Sequence, residues 1–325
     1  MSELRADAID VRQLVAVGAP LLGLLFVVTL FALDADLRPY FFTWRNLILI
    51  FSQTAVIAIG ALGMTMIIVS GGIDLSVGSA VALSSVVCAT LLTSGAPDLA
   101  AIAAAVLTGA LIGLVNGGAI GYLRMVPFIV TLGMMGIARG CAKWLAGNQT
   151  VNPADNRVVA LMSTQGGGAG DIVMPLGVWL VLMFAFAIGI VMTKSVFGRY
   201  VYAIGSNEAA ARLCGIRVPY VKLWIYAIAG TLFGFAGVLQ FARLTQGDPT
   251  VAIGLELDVI AAVVLGGASL SGGTGSVLGA MIGALIMAVL RNGSNQMGWP
   301  NYVQEIIIGV VIILAVGLDR LRRRV

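Results

Sequence analysis

Long apolar runs separated by short polar stretches make up most of this chain. A helix that crosses a membrane needs about 20 predominantly apolar residues, and the first three quarters of the sequence contain a series of runs near that length. These runs are Leu14–Leu33, Leu47–Val69, Leu75–Ser94, Leu99–Tyr122, Val126–Ala146, Met174–Thr193 and Leu223–Ala242. A longer apolar region follows, Val259–Leu290, which is interrupted by GGASLSGGTG at Gly266–Gly275, and the last run is Val303–Leu318. The pattern predicts an all-α bundle of membrane-crossing helices.

Composition agrees with this pattern. Of the 325 residues, 59% are hydrophobic and 10% are charged, and the mean hydropathy of +1.02 lies far outside the range of a soluble domain. The 42 glycines matter because small residues allow helices to approach closely in lipid, where apolar surface alone gives no reason to associate. We therefore expect a tightly packed polytopic membrane protein in contact with lipid.

Lysine and arginine residues predict how the runs are oriented. Cytoplasmic loops of membrane proteins carry an excess of these residues, and here they gather before the first run, after the sixth and after the last. The residues concerned are Arg5, Arg12, Lys194, Arg199, Arg212, Arg217, Lys222, Arg320, Arg322, Arg323 and Arg324. Both termini and the stretch 194–222 are therefore expected in the cytoplasm.

The same reasoning sets the number of segments. Six runs fill a first block, residues 14–193, and return the chain to the cytoplasm before the stretch 194–222. A second block, residues 223–318, must then hold an even number of segments before the basic tail, 319–325. A hairpin that turns at Gly266–Gly275 and enters and leaves on the outer side satisfies this condition. The result is about ten segments, and the short first arm of the hairpin favours a discontinuous or re-entrant pair.

Two glycine-rich breaks share a sequence. SGGIDLSVGS at Ser70–Ser79 and GGASLSGGTG at Gly266–Gly275 both contain Gly-Gly-x-x-Leu-Ser between apolar runs. Backbone groups freed at such a break must be buried in protein or line a wet cavity. Interrupted segments at matching places suggest a duplicated half with a pathway between the halves. Coincidence among glycine-rich turns is the alternative.

Polar side chains within the runs are candidates for that pathway. Asp74 lies at a joint between two runs, where a charge usually faces a cavity or a partner; alternatively, Asp74 and Ser76 cap the helix that begins near Leu75. Gln53, Asn116 and Gln240 could hold a hydroxyl-rich solute or act as glue between helices. The candidate pathway residues are Gln53, Asp74, Ser76, Asn116, Ser269 and Ser271. Arg139 and Lys143 are the only other charges recognised at depth, and snorkelling towards the outer surface explains them.

Several kinds of chemistry are excluded. Histidine is absent, and the three cysteines have no metal-site or disulfide spacing. The chain shows no nucleophile–base pair, phosphate loop or paired carboxylates, and its basic residues do not form an aromatic-interleaved face for nucleic acid. We predict no catalytic residue, metal or cofactor in this chain, which is therefore not an enzyme.

A polar stretch, Gly198–Gly215, reads GRYVYAIGSNEAAARLCG and predicts a short, separately capped helix. Ser206 or Asn207 can accept hydrogen bonds from the first turn, Glu208 suits the positive end of the helix dipole, and Gly215 can adopt a left-handed stop conformation. Glu208 also lies four residues before Arg212, so the two can pair. A helix of about eight residues is too short to be stable alone and needs a partner. A solvated helix that joins two spans is equally compatible with the sequence.

Ordered motifs along nearly the whole chain resemble one family. They are Gly63-Met64-Thr65, SGGIDLSVGS, VPFIVTLGMMGIARG at Val126–Gly140, GRYVYAIGSNEAAARLCGI at Gly198–Ile216 and ELDVIAAVVLGGASLSGGTGSVLGAMIGALI at Glu256–Ile286. The chain resembles the membrane permease subunit of bacterial ABC sugar importers of the ribose, xylose and galactofuranose type. It departs from that family at Ser206, where ribose-type members often have glycine, and in the outer loop around Gln149–Gly170.

The resemblance implies a function and a set of partners. Residues 1–325 would form one permease domain of the bacterial inner membrane, and the polar stretch would be a coupling helix that docks into a cytoplasmic ATPase subunit. The docking candidates are Gly205, Asn207, Glu208, Ala209, Ala210, Arg212 and Gly215. A second permease chain, either a copy or a paralogue, and a periplasmic sugar-binding protein would complete the importer. ATP and magnesium would be used only in the ATPase, and the substrate would be a monosaccharide, a pentose or a related sugar.

Two other functions remain open on the sequence. An ion-coupled secondary transporter would need an ionisable coupling site within the membrane, for which Asp74 is the plausible carboxylate. A sensor or scaffold in the membrane would carry no substrate flux at all.

Overall fold

The computed structural model describes residues 11–35, 37–154, 156–165 and 173–322. This part of the chain is mainly helical, and an isolated antiparallel bridge joins Val151 and Gly247. The α-helices are α1 (Val11–Ala32), α2 (Arg38–Phe41), α3 (Trp44–Val69), α4 (Val77–Thr93), α5 (Asp98–Gly121), α6 (Pro127–Leu145), α7 (Leu176–Lys194), α8 (Val196–Ser206), α9 (Glu208–Leu213), α10 (Val218–Leu244), α11 (Leu255–Leu265), α12 (Val277–Gln296) and α13 (Asn301–Arg322), and a 3₁₀ turn covers Val158–Leu161.

Each uninterrupted apolar run coincides with one of these helices, and the interrupted region Val259–Leu290 coincides with two, α11 and α12, so the predicted all-α architecture is confirmed. By length and hydropathy, six helices of the described residues could cross a membrane: α3, α5, α6, α7, α10 and α12. The described apolar part of α1, helix α4 and the apolar part of α13 are shorter, and α11 has only 11 residues. The chain is therefore a multi-pass membrane protein by this measure. Arg5, Arg323 and Arg324, which helped to predict the orientation of the termini, lie outside the described residues.

Helix α3 is the centre of the bundle. Every residue from Thr54 to Val69 is buried, as is typical of a helix segment that is apolar around its circumference, and 78% of the most apolar window of α3 is buried inside the protein. Thr43 caps its first turn, because its hydroxyl oxygen accepts a hydrogen bond from the Asn46 amide at 3.3 Å. With 26 residues, α3 is about 39 Å long. It can therefore connect the two ends of the bundle.

The close packing expected from the glycine content occurs between α5 and α10. Gly109 and Gly113 of α5 face Gly230 of α10, and a β-carbon on Gly113 would lie 2.1 Å from the Tyr226 carbonyl oxygen. Only glycine allows two helix backbones to approach so closely, which is the expected use of small residues in a membrane.

Helices α8 and α9 lie at the end of the bundle where α3 and α5 finish and α10 begins. We call this the α9 end. The other end, where α3 and α11 begin and α10 and α12 finish, is the opposite end.

Candidate functional site

The polar stretch forms two helices. The predicted single helix is α9, which has six residues, and α8 before it was not predicted as a helix. Of the two capping candidates, Asn207 is the cap: its side-chain oxygen accepts a hydrogen bond from the Ala210 amide at 2.9 Å, whereas Ser206 is the last residue of α8. Gly215 has a φ of +82°, the left-handed conformation predicted for the stop.

Glu208 ties α9 to the beginning of α10. One carboxylate oxygen lies 2.5 Å from the Arg212 guanidinium, which confirms the predicted pair, and the other lies 2.7 Å from the Lys222 ammonium. Burial raises the pKa of Glu208, but hydrogen bonds and the charges of Lys222 and Arg212 outweigh burial, so the pKa lies below its ordinary value. Glu208 is therefore held as a carboxylate between two cations.

The outward face of α9 is small and apolar. Ala209, Ala210 and Leu213 lie on this face at helical spacing, and the Leu213 side chain is 90% exposed. Ala211, on the other side, is 4% exposed and packs on the bundle. Sequence reasoning missed Leu213, although its position four residues after Ala209 places it on the same face.

The end of α8 is wedged against both glycine-rich breaks. A β-carbon on Gly205 would lie 1.7 Å from the Val69 carbonyl oxygen at the end of α3. That same oxygen accepts a hydrogen bond from the Gly273 amide at 2.8 Å, and Gly272 lies against both Gly205 and Gly71. The two glycine-rich breaks therefore meet under α8, through Gly71 of the first and Gly272 of the second. This contact gives Gly205 a packing role, and the residue is only partly exposed.

Tyr202 adds a second link between α8 and the later break. Its hydroxyl donates a hydrogen bond to the Gly275 carbonyl oxygen at 2.8 Å. Burial raises the pKa of Tyr202, so the hydroxyl keeps the proton that it donates.

Asp74, Ser76 and Asn116 form a buried cluster beside the first break. The Asp74 carboxylate accepts hydrogen bonds from the Ser76 amide at 2.7 Å and the Ser76 hydroxyl at 2.6 Å, just before α4 begins at Val77. The Asn116 amide donates to the Ser76 hydroxyl at 3.1 Å and lies 3.4 Å from Asp74. Asp74 thus organises the start of α4, two residues later than the predicted start near Leu75. Ser269, which is buried, and Ser271, which is exposed, lie in the second break.

Gln53 lies elsewhere, in a cavity of about 370 Å³ with a mixed polar and apolar lining, towards the opposite end of the bundle. The cavity lies between α3, α10, α11 and α12, and its polar lining consists of Gln53, Gln240, Arg243, Asp258, Arg291 and Asn295. The Asp258 carboxylate is 2.7 Å from the Arg291 guanidinium, and Asp258 is 3% exposed. The structure therefore contains an ion pair between a buried carboxylate and a partly exposed arginine that sequence reasoning did not recognise.

Arg139 also has a role beyond snorkelling. Its guanidinium donates hydrogen bonds to the carbonyl oxygens of Pro249 and Val251, at 2.9 and 2.7 Å. These residues belong to the loop between α10 and α11, and Val251 lines the cavity. Arg139 therefore fixes the loop beside the cavity. No group of three or more metal-ligating side chains occurs among the residues that the structure describes.

Comparison with known proteins identifies the family. The profile described as "Branched-chain amino acid transport system / permease component" matches residues 46–316. The ribose import permease protein RbsC of Escherichia coli strain K12 is 42% identical over 297 residues, which are 91% of this chain and 92% of RbsC. No solved structure matches the chain.

Permeases named for other sugars are similar as well. The L-arabinose ABC transporter permease protein AraH of Azospirillum brasilense is 36% identical over 90% of this chain and 85% of its own length. The fructose import permease protein FrcC of Rhizobium meliloti is 33% identical over 93% of this chain and 85% of its own length. None of these names describes an ion-coupled carrier. The chain belongs to the family of permease components of transport systems that this profile defines.

Proposed function

We propose that this chain is the membrane permease of an ATP-driven importer for a monosaccharide. Family membership supports transport, and the relatives named for ribose, L-arabinose and fructose support a sugar as the substrate. This chain forms the pathway for the sugar and binds the ATPase subunit, which hydrolyses ATP in its place.

The main support for this proposal is that α9 is a short helix held by a side-chain cap and an ion pair with its apolar face exposed. A six-residue helix is too short to hold itself together, yet α9 is capped by Asn207 and tied to α10 through Glu208 and Lys222. Its apolar face, formed by Ala209, Ala210 and Leu213, is left outward. A rigid helix that presents small residues fits a groove on another protein, as the helix-in-groove mode of recognition requires.

The ATPase subunit would occupy that groove. Of the docking candidates, Asn207, Ala209, Ala210, Arg212 and Gly215 are exposed, Glu208 is partly exposed and tied to α10, and Gly205 packs inward. Closure of the ATPase on ATP would push α9 as a rigid body. The contact of Gly205 with Val69 and Gly272 would pass the push to α3 and to the α11–α12 hairpin.

The complete importer needs further parts. Helices α1, α3, α4, α5, α6, α7, α10, α11, α12 and α13 would form ten segments of one permease domain in the bacterial inner membrane, in blocks of six (14–193) and four (223–318) around residues 194–222. With the α9 end in the cytoplasm, both termini are cytoplasmic. A second permease chain, a sugar-binding protein outside and an ATPase that uses ATP and magnesium complete the assembly.

Reconstitution in vesicles tests this function. The chain with its ATPase and binding protein should take up a monosaccharide only with ATP, and the chain alone should neither hydrolyse ATP nor respond to an ion gradient. Ala210→Trp, on the outward face of α9, should abolish ATP-driven uptake while the protein still folds. Leu111→Trp, at an exposed position in the middle of α5, is the control and should retain uptake. Normal uptake by Ala210→Trp would refute docking through α9.

A further inference from the structure

The cavity at the opposite end is separate from the α9 contact, and its lining has unused hydrogen-bonding capacity. The Asp258 Oδ1 atom and the Arg291 Nε atom are buried and have no hydrogen-bond partner among the described residues. Asp258 is 3% exposed, and it lines the cavity. Buried polar atoms are nearly always paired in native proteins, so an unpaired carboxylate oxygen beside a cavity indicates a missing partner.

The lining supplies both donors and acceptors. Asp258 accepts, Arg243 and Arg291 donate, and the amides of Gln53 and Gln240 do both. A carboxylate that is only 3% exposed at membrane depth is costly and usually marks a substrate path or a water-filled cavity. Asp258 balances Arg291, and Arg243 leaves the lining with one positive charge, which repels cations. The mixture of donors and acceptors suits a polar solute without positive charge that can donate and accept at several atoms.

We infer that this cavity binds a monosaccharide on its way through the permease. The volume of about 370 Å³ falls in the range of about 300–1,000 Å³ that is usual for small-molecule sites. A sugar hydroxyl can donate to Asp258 Oδ1 and accept from the Arg291 guanidinium, which satisfies both unpaired atoms. The inference rests on the proposed import of a monosaccharide and adds the residues that would contact it.

The loop between α10 and α11 forms one wall of the site. Val251, Ala252 and Ile253 line the cavity, and Arg139 holds this loop through the Pro249 and Val251 carbonyl oxygens. Ile253 is 71% exposed, so it stands at the mouth, where a reagent from the solvent can reach it. A bound sugar should therefore slow a chemical reaction at position 253.

Thiol labelling of the full chain in lipid nanodiscs tests binding directly. The two exposed native cysteines are first removed with Cys141→Ala and Cys214→Ser, because they would react as well. Ile253→Cys is then labelled with a water-soluble maleimide in the presence of ribose, L-arabinose, fructose or leucine. Thr250→Cys is the control, since Thr250 is exposed in the same loop but does not line the cavity.

At least one of the monosaccharides should slow labelling at position 253 in a saturable manner and leave position 250 unaffected. Slowing by leucine and by none of the sugars would overturn the inference and would also count against a sugar as the substrate. Equal labelling under all conditions would contradict binding at this cavity.

Transport measurements separate the site from the function. In the reconstituted importer, Gln53→Leu should lower the sugar taken up per ATP hydrolysed by about two- to tenfold, the effect expected for loss of one hydrogen bond in a buried polar site. Thr54→Val is the matched control, because Thr54 is the next residue of α3 and lines a different, apolar cavity. If wild type imports the sugar but Gln53→Leu behaves like Thr54→Val and position 253 is unprotected, the cavity site is wrong and the import function stands. If wild type imports none of the sugars, both fail.

Discussion

Substitution of Gly205 by alanine tests whether α8 is wedged against the two breaks. A β-carbon there would lie 1.7 Å from the Val69 carbonyl oxygen and 2.7 Å from the Gly273 amide nitrogen, whereas ordinary van der Waals contact begins at 3.4 Å. Both neighbours are backbone atoms, so neither can rotate away. The end of α8 must therefore separate from α3 and from the second break.

The expected magnitude follows from two opposing effects. Forced overpacking costs about 1–3 kcal/mol, while replacement of a helical glycine by alanine gains about 0.5–1 kcal/mol. Gly118→Ala in α5 is the matched control, because a β-carbon at Gly118 would have no neighbour within 4 Å and only the gain applies. Because this gain applies to both helical positions, it cancels in the comparison, and we expect Gly205→Ala to be less stable than Gly118→Ala by about 1–3 kcal/mol.

Denaturant unfolding of the purified variants in detergent measures this difference, and ATP-driven uptake in the reconstituted importer measures the loss of coupling. Gly205→Ala should lose uptake to a greater degree than its loss of stability alone would produce, since the end of α8, which passes the movement of α9 to the bundle, would no longer contact α3 closely. If Gly205→Ala and Gly118→Ala were equally stable and equally active, the wedge would play no part in folding or coupling.

Two other substitutions examine the links of α8 and α9 to the bundle. Glu208→Gln should loosen α9 from Lys222 and lower the uptake per ATP. Because the pKa of Glu208 is depressed in the folded protein, the stability that its carboxylate contributes is present above the ordinary pKa of glutamate and is lost as the pH falls through the folded value. The wild type should therefore lose part of its coupling in acid while Glu208→Gln shows a flatter pH profile, and parallel profiles would contradict the tether. Tyr202→Phe removes the hydrogen bond to the Gly275 carbonyl oxygen and should cost about 0.5–1.5 kcal/mol of unfolding free energy. Tyr200→Phe, at an exposed position of the same helix, should cost less, and equal losses would show that the bond contributes nothing.

Local sequence signals predicted the helices well. Apolar runs of membrane length have few competing interpretations, and glycine, proline and capping residues mark their ends. The Asn207 cap and the Glu208–Arg212 pair were predicted for the same reason, since both depend on residues only three or four apart. The sequence did not predict α8, a helix of 11 residues, because the polar stretch indicates a single helix that corresponds to α9.

Contacts between distant parts of the chain were not predictable in this way. Asp258 and Arg291 pair across α11 and α12, but in the sequence each stands near the edge of an apolar run and resembles an ordinary flanking charge. The shared Gly-Gly-x-x-Leu-Ser pattern indicated that the two breaks are related, yet nothing in it specified that they meet at Gly205. Such contacts depend on how the helices pack, which hydrophobic periodicity does not encode.

Helix α3 links the two candidate sites mechanically. Val69 at its end receives the contact from α8, and Gln53, about 24 Å earlier along the helix axis, lines the cavity. The α11–α12 hairpin repeats this arrangement, because its turn contains Gly272 and Gly273 while Asp258 and Arg291 lie on its arms beside the cavity. A helix buried on all sides moves as a rigid body more readily than it bends, so a push at Val69 and Gly273 would shift both walls of the cavity together. The two sets of variants should therefore have different effects on labelling at position 253. Changes at Gly205 should weaken the dependence of this labelling on ATP. Gln53→Leu should preserve the dependence on ATP and lose only the protection of position 253 by sugar.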